Sequence, residues 1–281
     1  MSYDCTVIDG SGFVYRAYYG YPKLSRFDGL EVGALYGFCS MLLNIIKQEK
    51  CSYCAIVFDS GRKTFRNEIF KDYKANRDEA PADLVSQFSL IRDAAALFGA
   101  KVISIKGFEA DDVIASICEK MAIAHKTVKI VSSDKDLMQL VSKGVHVYDP
   151  VKAKTFTEQD VFDKFGVLPN QLVDFLALVG DTSDNVPGVK GIGPKTAAKL
   201  IEQFDSIEVI YDNLPVIAEK VRAKLADSKD SAFMSKKLVR LNASIDINID
   251  ELSFDGITYT GIYDFCIANG FRSLAKKMSS S

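Results

Sequence analysis

The sequence predicts an α/β fold: a mostly parallel sheet flanked by helices, followed by a helical second domain. Three observations predict it. Short β-rich runs alternate with helical patterns over the first half, acidic residues recur just beyond those runs, and a helical period takes over from about residue 157. The runs at residues 5–8, 53–58, 101–105, 127–131 and 145–148 have strand length and β-branched or aromatic character. Residues 33–47, 84–98, 111–124 and 135–141 carry apolar side chains at helical spacing between them. Such alternation implies crossover units and a parallel sheet. Beyond it, residues 169–179, 195–203, 216–226 and 231–241 are the clearest helical segments. Residues 61–83 are polar, basic and stopped by Pro81, and read as an excursion over the active face. Residues 279–281 read as a frayed end.

A chain of 281 residues, 48% of them hydrophobic, has a core sufficient for one or two domains. No apolar run approaches the roughly 18–20 residues that cross a bilayer, and Met1-Ser2-Tyr3-Asp4 opens without a secretory signature. A cytoplasmic protein without a membrane partner is expected. The six cysteines lack framework spacing and are expected to be reduced and packed. Cys51-Ser52-Tyr53-Cys54 has the spacing of a zinc or redox pair, but zinc wants four ligands and no second pair is evident. The net charge of −2 is unevenly distributed. Arg62, Lys63, Arg66, Lys71, Lys74 and Arg77 crowd one stretch against only Glu68 and Asp72, so a local basic surface is expected.

In an open parallel sheet, ligands bind beyond the carboxyl ends of the strands. Asp9 ends the first run and Asp59 the second. Glu109, Asp111 and Asp112 open the helix after the third, and Asp134 and Asp136 follow the fourth. Two carboxylates about 4 Å apart repel by roughly 4 kcal/mol at an effective dielectric near 20, so such a cluster calls for cations. Oxygen-only ligands suit Mg²⁺ or Mn²⁺, and neither of the two histidines lies in these motifs. Singly, each acid has a plainer reading as a helix cap or a solvated charge. Together they point to a metal site. Asp181 and Asp184, in Gly180-Asp181-Thr182-Ser183-Asp184-Asn185, could serve a second metal or simply form a turn.

Gly188, Gly191 and Gly193 precede a helix opened by Pro194. A nucleotide-binding P-loop needs Lys directly after its last Gly, and Pro194 intervenes. The segment reads instead as a helix-hairpin-helix turn whose amides hold DNA phosphate without reading bases, with Lys195 adding charge; a tight turn without ligand is the plainer alternative. Tyr73-Lys74-Ala75-Asn76-Arg77 and Tyr15-Arg16 supply aromatic faces for bases and cations for phosphate.

Val7-Ile8-Asp9-Gly10, Phe58-Asp59, Tyr73-Lys74-Ala75-Asn76-Arg77, Phe108-Glu109-Ala110-Asp111-Asp112, Ser133-Asp134-Lys135-Asp136-Leu137 and Gly180-Asp181 through Thr196 occur in this order over nearly the whole chain. In these motifs the chain resembles the bacterial 5′–3′ exonuclease and flap endonuclease family, which includes free-standing enzymes and the N-terminal domain of DNA polymerase I. The resemblance implies a PIN-like nuclease core at residues 1–168 with a helical arch at about 61–83. It also implies a helical DNA-binding domain at 169–281 containing a helix-three-turn-helix at about 172–206. It assigns Asp9, Glu109, Asp111, Asp112 and Asp134 mainly to one metal, Asp136, Asp181 and Asp184 mainly to the other, and Asp59 to support. Lys74 and Arg77 would steer the scissile phosphate with help from Arg16, and Tyr15 would stack on an unpaired base. Arg62, Lys63, Arg66, Tyr73, Gly191, Gly193, Lys195 and Thr196 complete the expected DNA surface. A potassium ion is implied at the backbone of Val189 and Ile192.

The expected activity is two-metal hydrolysis of 5′ flaps, nicks and branched DNA by a monomer, with a DNA polymerase and a ligase as partners in repair. The rival readings are a catalytically weak junction-binding module and an RNA-directed PIN-type nuclease.

Overall fold

A computed structural model describes residues 2–279. Met1, and Ser280 and Ser281 of the end expected to fray, lie outside the described residues. The strands are β1 (Cys5–Asp9), β2 (Tyr53–Val57), β3 (Lys101–Ile103), β4 (Val128–Val131), β5 (Val145–Asp149) and β6 (Lys154–Phe156). They form one sheet in the order β3-β2-β1-β4-β5-β6, parallel except for the antiparallel β5–β6 pair. The sequence reading missed β6, whose Lys154-Thr155-Phe156 is a short edge strand.

The helices of the first half are α1 (Gly10–Gly20), α2 (Gly33–Ile46), α3 (Phe65–Ile69), α4 (Ala82–Val85), α5 (Phe88–Ala96), α6 (Ala110–Ile123) and α7 (Glu158–Phe165). Those of the second half are α8 (Leu172–Val179), α9 (Pro194–Phe204), α10 (Ile207–Asp212), α11 (Glu219–Asp227), α12 (Lys229–Val239), α13 (Tyr259–Ala268) and α14 (Arg272–Ser279). The expected helix at 135–141 is a short 3-10 turn, Asp136–Leu140, and the one at 84–98 is broken between α4 and α5. No helix among the described residues is long and apolar enough to cross a membrane.

Both faces of the sheet are covered, so its strands read as near-continuous apolar runs. Side chains alternate between two cores: Val7, Ala55 and Val57 enter one, Ile8, Cys54 and Ile56 the other. The first core continues through α6 into the helices of the second half; the second holds α1, α2 and α5. The chain then returns. Phe254, Ile262, Cys266, Phe271 and Leu274 pack into the second core, and Phe254 N–H donates to the Ser52 carbonyl at 2.8 Å. The last stretch of residues 169–281 is thus packed with the sheet rather than with α8–α12. All six cysteines are unpaired and buried.

Residues 61–83 do not form a continuous helical arch. They hold the five-residue α3, then turns through residues 71–76. Lys74 sits at φ 56°, in the left-handed region, with its N–H donating to the Asp184 carbonyl at 3.0 Å. That tie to the loop after α8 holds the excursion down against the second half.

Candidate active site

The chain leaves β1 for β2 on one side and later places β4 on the other, so a crevice opens beyond the carboxyl ends of β1 and β4. Asp9 lies at its centre, 7% exposed. Its Oδ1 caps α1 by accepting Gly12 N–H at 2.8 Å, and its Oδ2 accepts the Ser132 hydroxyl from the end of β4 at 2.8 Å. Burial pushes the Asp9 carboxyl up to about 6 against those hydrogen bonds, and Asp59 and Asp134 add repulsion. Asp111, in the first turn of α6, is pushed well above the carboxylate range by burial and then by Asp134 and Asp9. Asp59 is docked on the same helix start, its Oδ1 accepting Ala110 N–H at 2.8 Å. Asp9, Asp59, Asp111 and Asp134 are therefore one electrostatic group.

A second group adjoins it. Burial, followed by Asp134 and Asp181, pushes Asp136 up to about 7, and its buried Oδ1 has no hydrogen-bond partner. Burial also works to raise Asp181, but the Lys135 ammonium 2.7 Å from Oδ2 and the Ser183 donors hold it below the usual carboxylate range. Asp184 receives Arg77 on Oδ1 and the Tyr73 hydroxyl on Oδ2, with Lys74 Nζ 3.5 Å away. Glu109, Asp111, Asp136, Asp181 and Asp184 line one small cavity together with Arg66, Tyr73 and apolar side chains such as Val186 and Leu238.

The loop carrying Asp181 and Asp184 is held by two glycines. Gly180 (φ 76°) and Gly188 (φ 62°) pack backbone to backbone, and a Cβ on Gly188 would lie 2.4 Å from Gly180 N. No other residue fits there.

The basic excursion divides. Lys74 Nζ is 2.8 Å from Glu109 Oε1, and Arg77 reaches Asp184, so both cations face the acids. Arg62 and Lys63 are exposed, Arg62 lying near Glu79 and the Asp78 carbonyl. Arg66 and Tyr73, expected on the DNA surface, are not there: they are 1% and 6% exposed. Arg66 is forked onto Asp112, while the Tyr73 hydroxyl lies 3.1 Å from both Glu109 Oε2 and Asp184 Oδ2. Asp112, expected as a metal ligand, points away from the cluster into this fork. Tyr15 is 44% exposed on α1 and Arg16 half-buried beside it.

At the glycine turn, Gly191, Gly193 and Lys195 are exposed and Thr196 half-buried. Thr196 and Ala197 N–H groups both donate to the Gly193 carbonyl at 3.0 Å, so these two amides are already taken. Val189 and Ile192 are buried, with Ile192 N–H donating to the Val189 carbonyl at 3.0 Å. Lys224 Nζ donates to the Gly191 carbonyl at 2.7 Å. Sequence reasoning missed Lys224, and it missed Ser132 and Lys135 as partners of the acids. Ser132 and Lys135 flank the Asp134 motif, where a donor beside a strand-end acid is a readable signal.

Two family models match the chain: the N-terminal resolvase-like domain of 5′–3′ exonucleases over residues 4–166, and their C-terminal SAM fold over residues 167–260. This chain belongs to the 5′–3′ exonuclease family. Within that family it is 43% identical to a 5′–3′ exonuclease of Aquifex aeolicus, over 87% of this chain and 84% of the relative. It is 39% identical to DNA polymerase I of Rhizobium leguminosarum over 98% of this chain, but spans only 28% of that polymerase. In fold, this exonuclease-family chain matches the T5 D15 protein co-crystallised with metal ions, with a TM-score of 0.73, 22% identity and coverage of 98% and 97%. The catalytic core of Rad2 in complex with DNA substrate matches with a TM-score of 0.67, 14% identity and coverage of 99% and 92%.

Proposed function

We propose that this 5′–3′ exonuclease-family chain is a structure-specific 5′ nuclease that hydrolyses phosphodiesters at 5′ flaps, nicks and branched DNA with two divalent cations. The observation that carries this reading is the gathering of acids from the ends of β1, β2, β4 and α8 and the start of α6 at one crevice, with Lys74, Arg77 and Lys135 between them.

The residues fit hard cations by chemistry: the donors are carboxylate oxygens, and the buried Asp136 Oδ1 lacks a partner. Among the described residues, no three acidic, histidine or cysteine side chains close on one point as they stand. The ammonium groups of Lys74 and Lys135 lie against Glu109 and Asp181 in that arrangement. Asp9, Asp111, Asp134 and Glu109, supported by Asp59, would hold one Mg²⁺ or Mn²⁺, and Asp136, Asp181 and Asp184 the other. Such a pair lowers the pKa of a water from 15.7 toward about 7 and stabilises the attacking and leaving oxygens.

The chain's own residues do the rest. Lys74 and Arg77 trade their carboxylate partners for the scissile phosphate, with Arg16 assisting, and Tyr15 stacks on an unpaired base. Arg62, Lys63, Lys195 and Thr196 grip backbone phosphate, with Gly191 and Gly193 allowing close approach, and the backbone of Val189 and Ile192 would hold a K⁺. The products carry a 5′-phosphate and a 3′-hydroxyl, and a polymerase and a ligase would act on the same repair intermediates. We assign residues 1–168, with α13 and α14 packed against them, to the nuclease core and α8–α12 to duplex binding. The experiment is a flap-cleavage assay of Asp134→Asn and Asp181→Asn. Loss of Mg²⁺-dependent turnover with flap binding retained supports the reading; full turnover in either variant overturns it.

A further inference from the structure

Beneath the crevice, Arg66 and Asp112 form a buried pair tied on all sides by hydrogen bonds and one further ion-pair contact. Arg66 NH1 and NH2 lie 2.7 and 2.8 Å from Asp112 Oδ2 and Oδ1. Its Nε donates to the Leu238 carbonyl at 2.7 Å and NH2 also to the Arg240 carbonyl at 3.1 Å. NH1 lies 3.2 Å from Glu109 Oε2. Four of the five guanidinium donors are thus hydrogen-bonded, and NH1 adds an ion-pair contact with Glu109. Asp112 is saturated: Oδ2 also accepts Glu109 N–H at 3.1 Å, and Oδ1 accepts Asn242 N–H at 2.9 Å. A guanidinium buried to 1% exposure and turned onto two carboxylates and two carbonyls is not presented to a phosphate, and a carboxylate accepting four hydrogen bonds has no lone pair left for an ion.

The pair meets the acidic cluster at one residue. Glu109 is held by its backbone N–H to Asp112 and by Oε2 to Arg66 and Tyr73, which leaves Oε1 facing Lys74. We infer that Arg66 and Asp112 are positioning residues: acting together, they fix Glu109 so that Oε1 is presented to a bound cation. The inference deepens the metal-dependent reading above and rests on it. The same pair ties α3 and α6 to the last turn of α12 and the residues that follow it, so the orientation of Glu109 depends on how the second half is seated.

The test uses the full chain and terbium ion as a luminescent probe, alongside the Mg²⁺ dependence of flap cleavage. Arg66→Met/Asp112→Leu replaces the pair with apolar groups of similar size, a change buried ion pairs often tolerate. Arg66→Lys keeps the charge without the fork. Either variant is expected to weaken terbium binding and Mg²⁺ activation about 10–100-fold, as lost support of a metal ligand does. In a Glu109→Gln background the same changes should add less than about twofold, because the effect runs through Glu109. Parent-like terbium and Mg²⁺ responses, or an undiminished loss in the Glu109→Gln background, would overturn the positioning role. So would weaker flap binding in chelator with a shallower salt dependence, which would make Arg66 a phosphate contact. If the double variant does not fold, Arg66→Lys decides by the same readouts. An unaltered protein that binds no terbium and ignores Mg²⁺ overturns the metal-dependent reading itself, whereas parent-like variants overturn only the positioning role.

Discussion

Asp9 carries two hydrogen bonds, one capping α1 and one reaching across to the end of β4. Replacing it therefore disturbs the frame and the chemistry together, whereas the hydrogen bonds accepted by Asp134 and Asp181 stay within their own turns, from Asp136 and Ser183, and asparagine keeps an acceptor oxygen for them. Asparagine at either is expected to lower turnover by about 10²–10³-fold, the scale of losing one preorganised electrostatic group, with flap Kd nearly unchanged. Acidity gives a second test at this scale. Burial and neighbouring carboxylates push Asp9 up to about 6 and Asp136 up to about 7, and raise Asp111 as well. Raised carboxyls contribute stability that is full below their unfolded pKa and lost as pH rises through their folded values. Bound cations remove the repulsion that appears at that point. The rise in Tm on adding Mg²⁺ should thus be larger at pH 8 than at pH 5.5, and calorimetry at the two pH values checks it. An equal rise at both would contradict the cluster as the binding site.

The elements that position the site are short and held by specific contacts. Gly188→Ala would drive a Cβ to 2.4 Å from Gly180 N at a left-handed φ of 62°. The loop bearing Asp181 and Asp184 must then shift, so both Tm and turnover should fall. An unchanged melting curve would show that the loop yields without loss. At the Arg66–Asp112 fork, removing one partner strands a buried charge and is expected to cost about 3–5 kcal/mol. Denaturant unfolding of Asp112→Asn measures it. These contacts also show what was legible in sequence. The strand-end acids were readable because a parallel sheet dictates where its ligands bind. The burial of Arg66 and Tyr73 was not, because a basic run looks the same whether its side chains reach solvent or a buried carboxylate. Helix α1 was missed because Gly10-Ser11-Gly12 opens it, and its cap, Asp9, had already been read as a ligand. The excursion was expected to be helical, but Lys74 takes a left-handed turn to reach the Asp184 carbonyl.

At the scale of the whole molecule, periodicity located α2, α6, α8, α9, α11 and α12 but not α7, α10, α13 or α14, and gave no sign of which face of the sheet a helix covers. The return of α13 and α14 to the α2 face follows from the contact of Phe254 with Ser52 and the packing of Phe271 and Leu274, pairings far apart in the chain. Charge distribution is the global property that bears on function. A net charge of −2 coexists with exposed Arg62, Lys63 and Lys195 on the excursion and the glycine turn. Lys63→Ala and Lys195→Ala should each lower the slope of log Kd for duplex DNA against log salt by about one, with kcat preserved. Unchanged slopes would remove these two segments from the DNA surface. The most direct test of cation-dependent 5′ hydrolysis at the crevice is to incubate the chain with a 5′-labelled flap, with Mg²⁺ or with chelator, and size the first product. A Mg²⁺-dependent product cut near the junction with a 3′-hydroxyl end is expected. Cleavage that persists in chelator, or a labelled strand left intact in Mg²⁺, would contradict it.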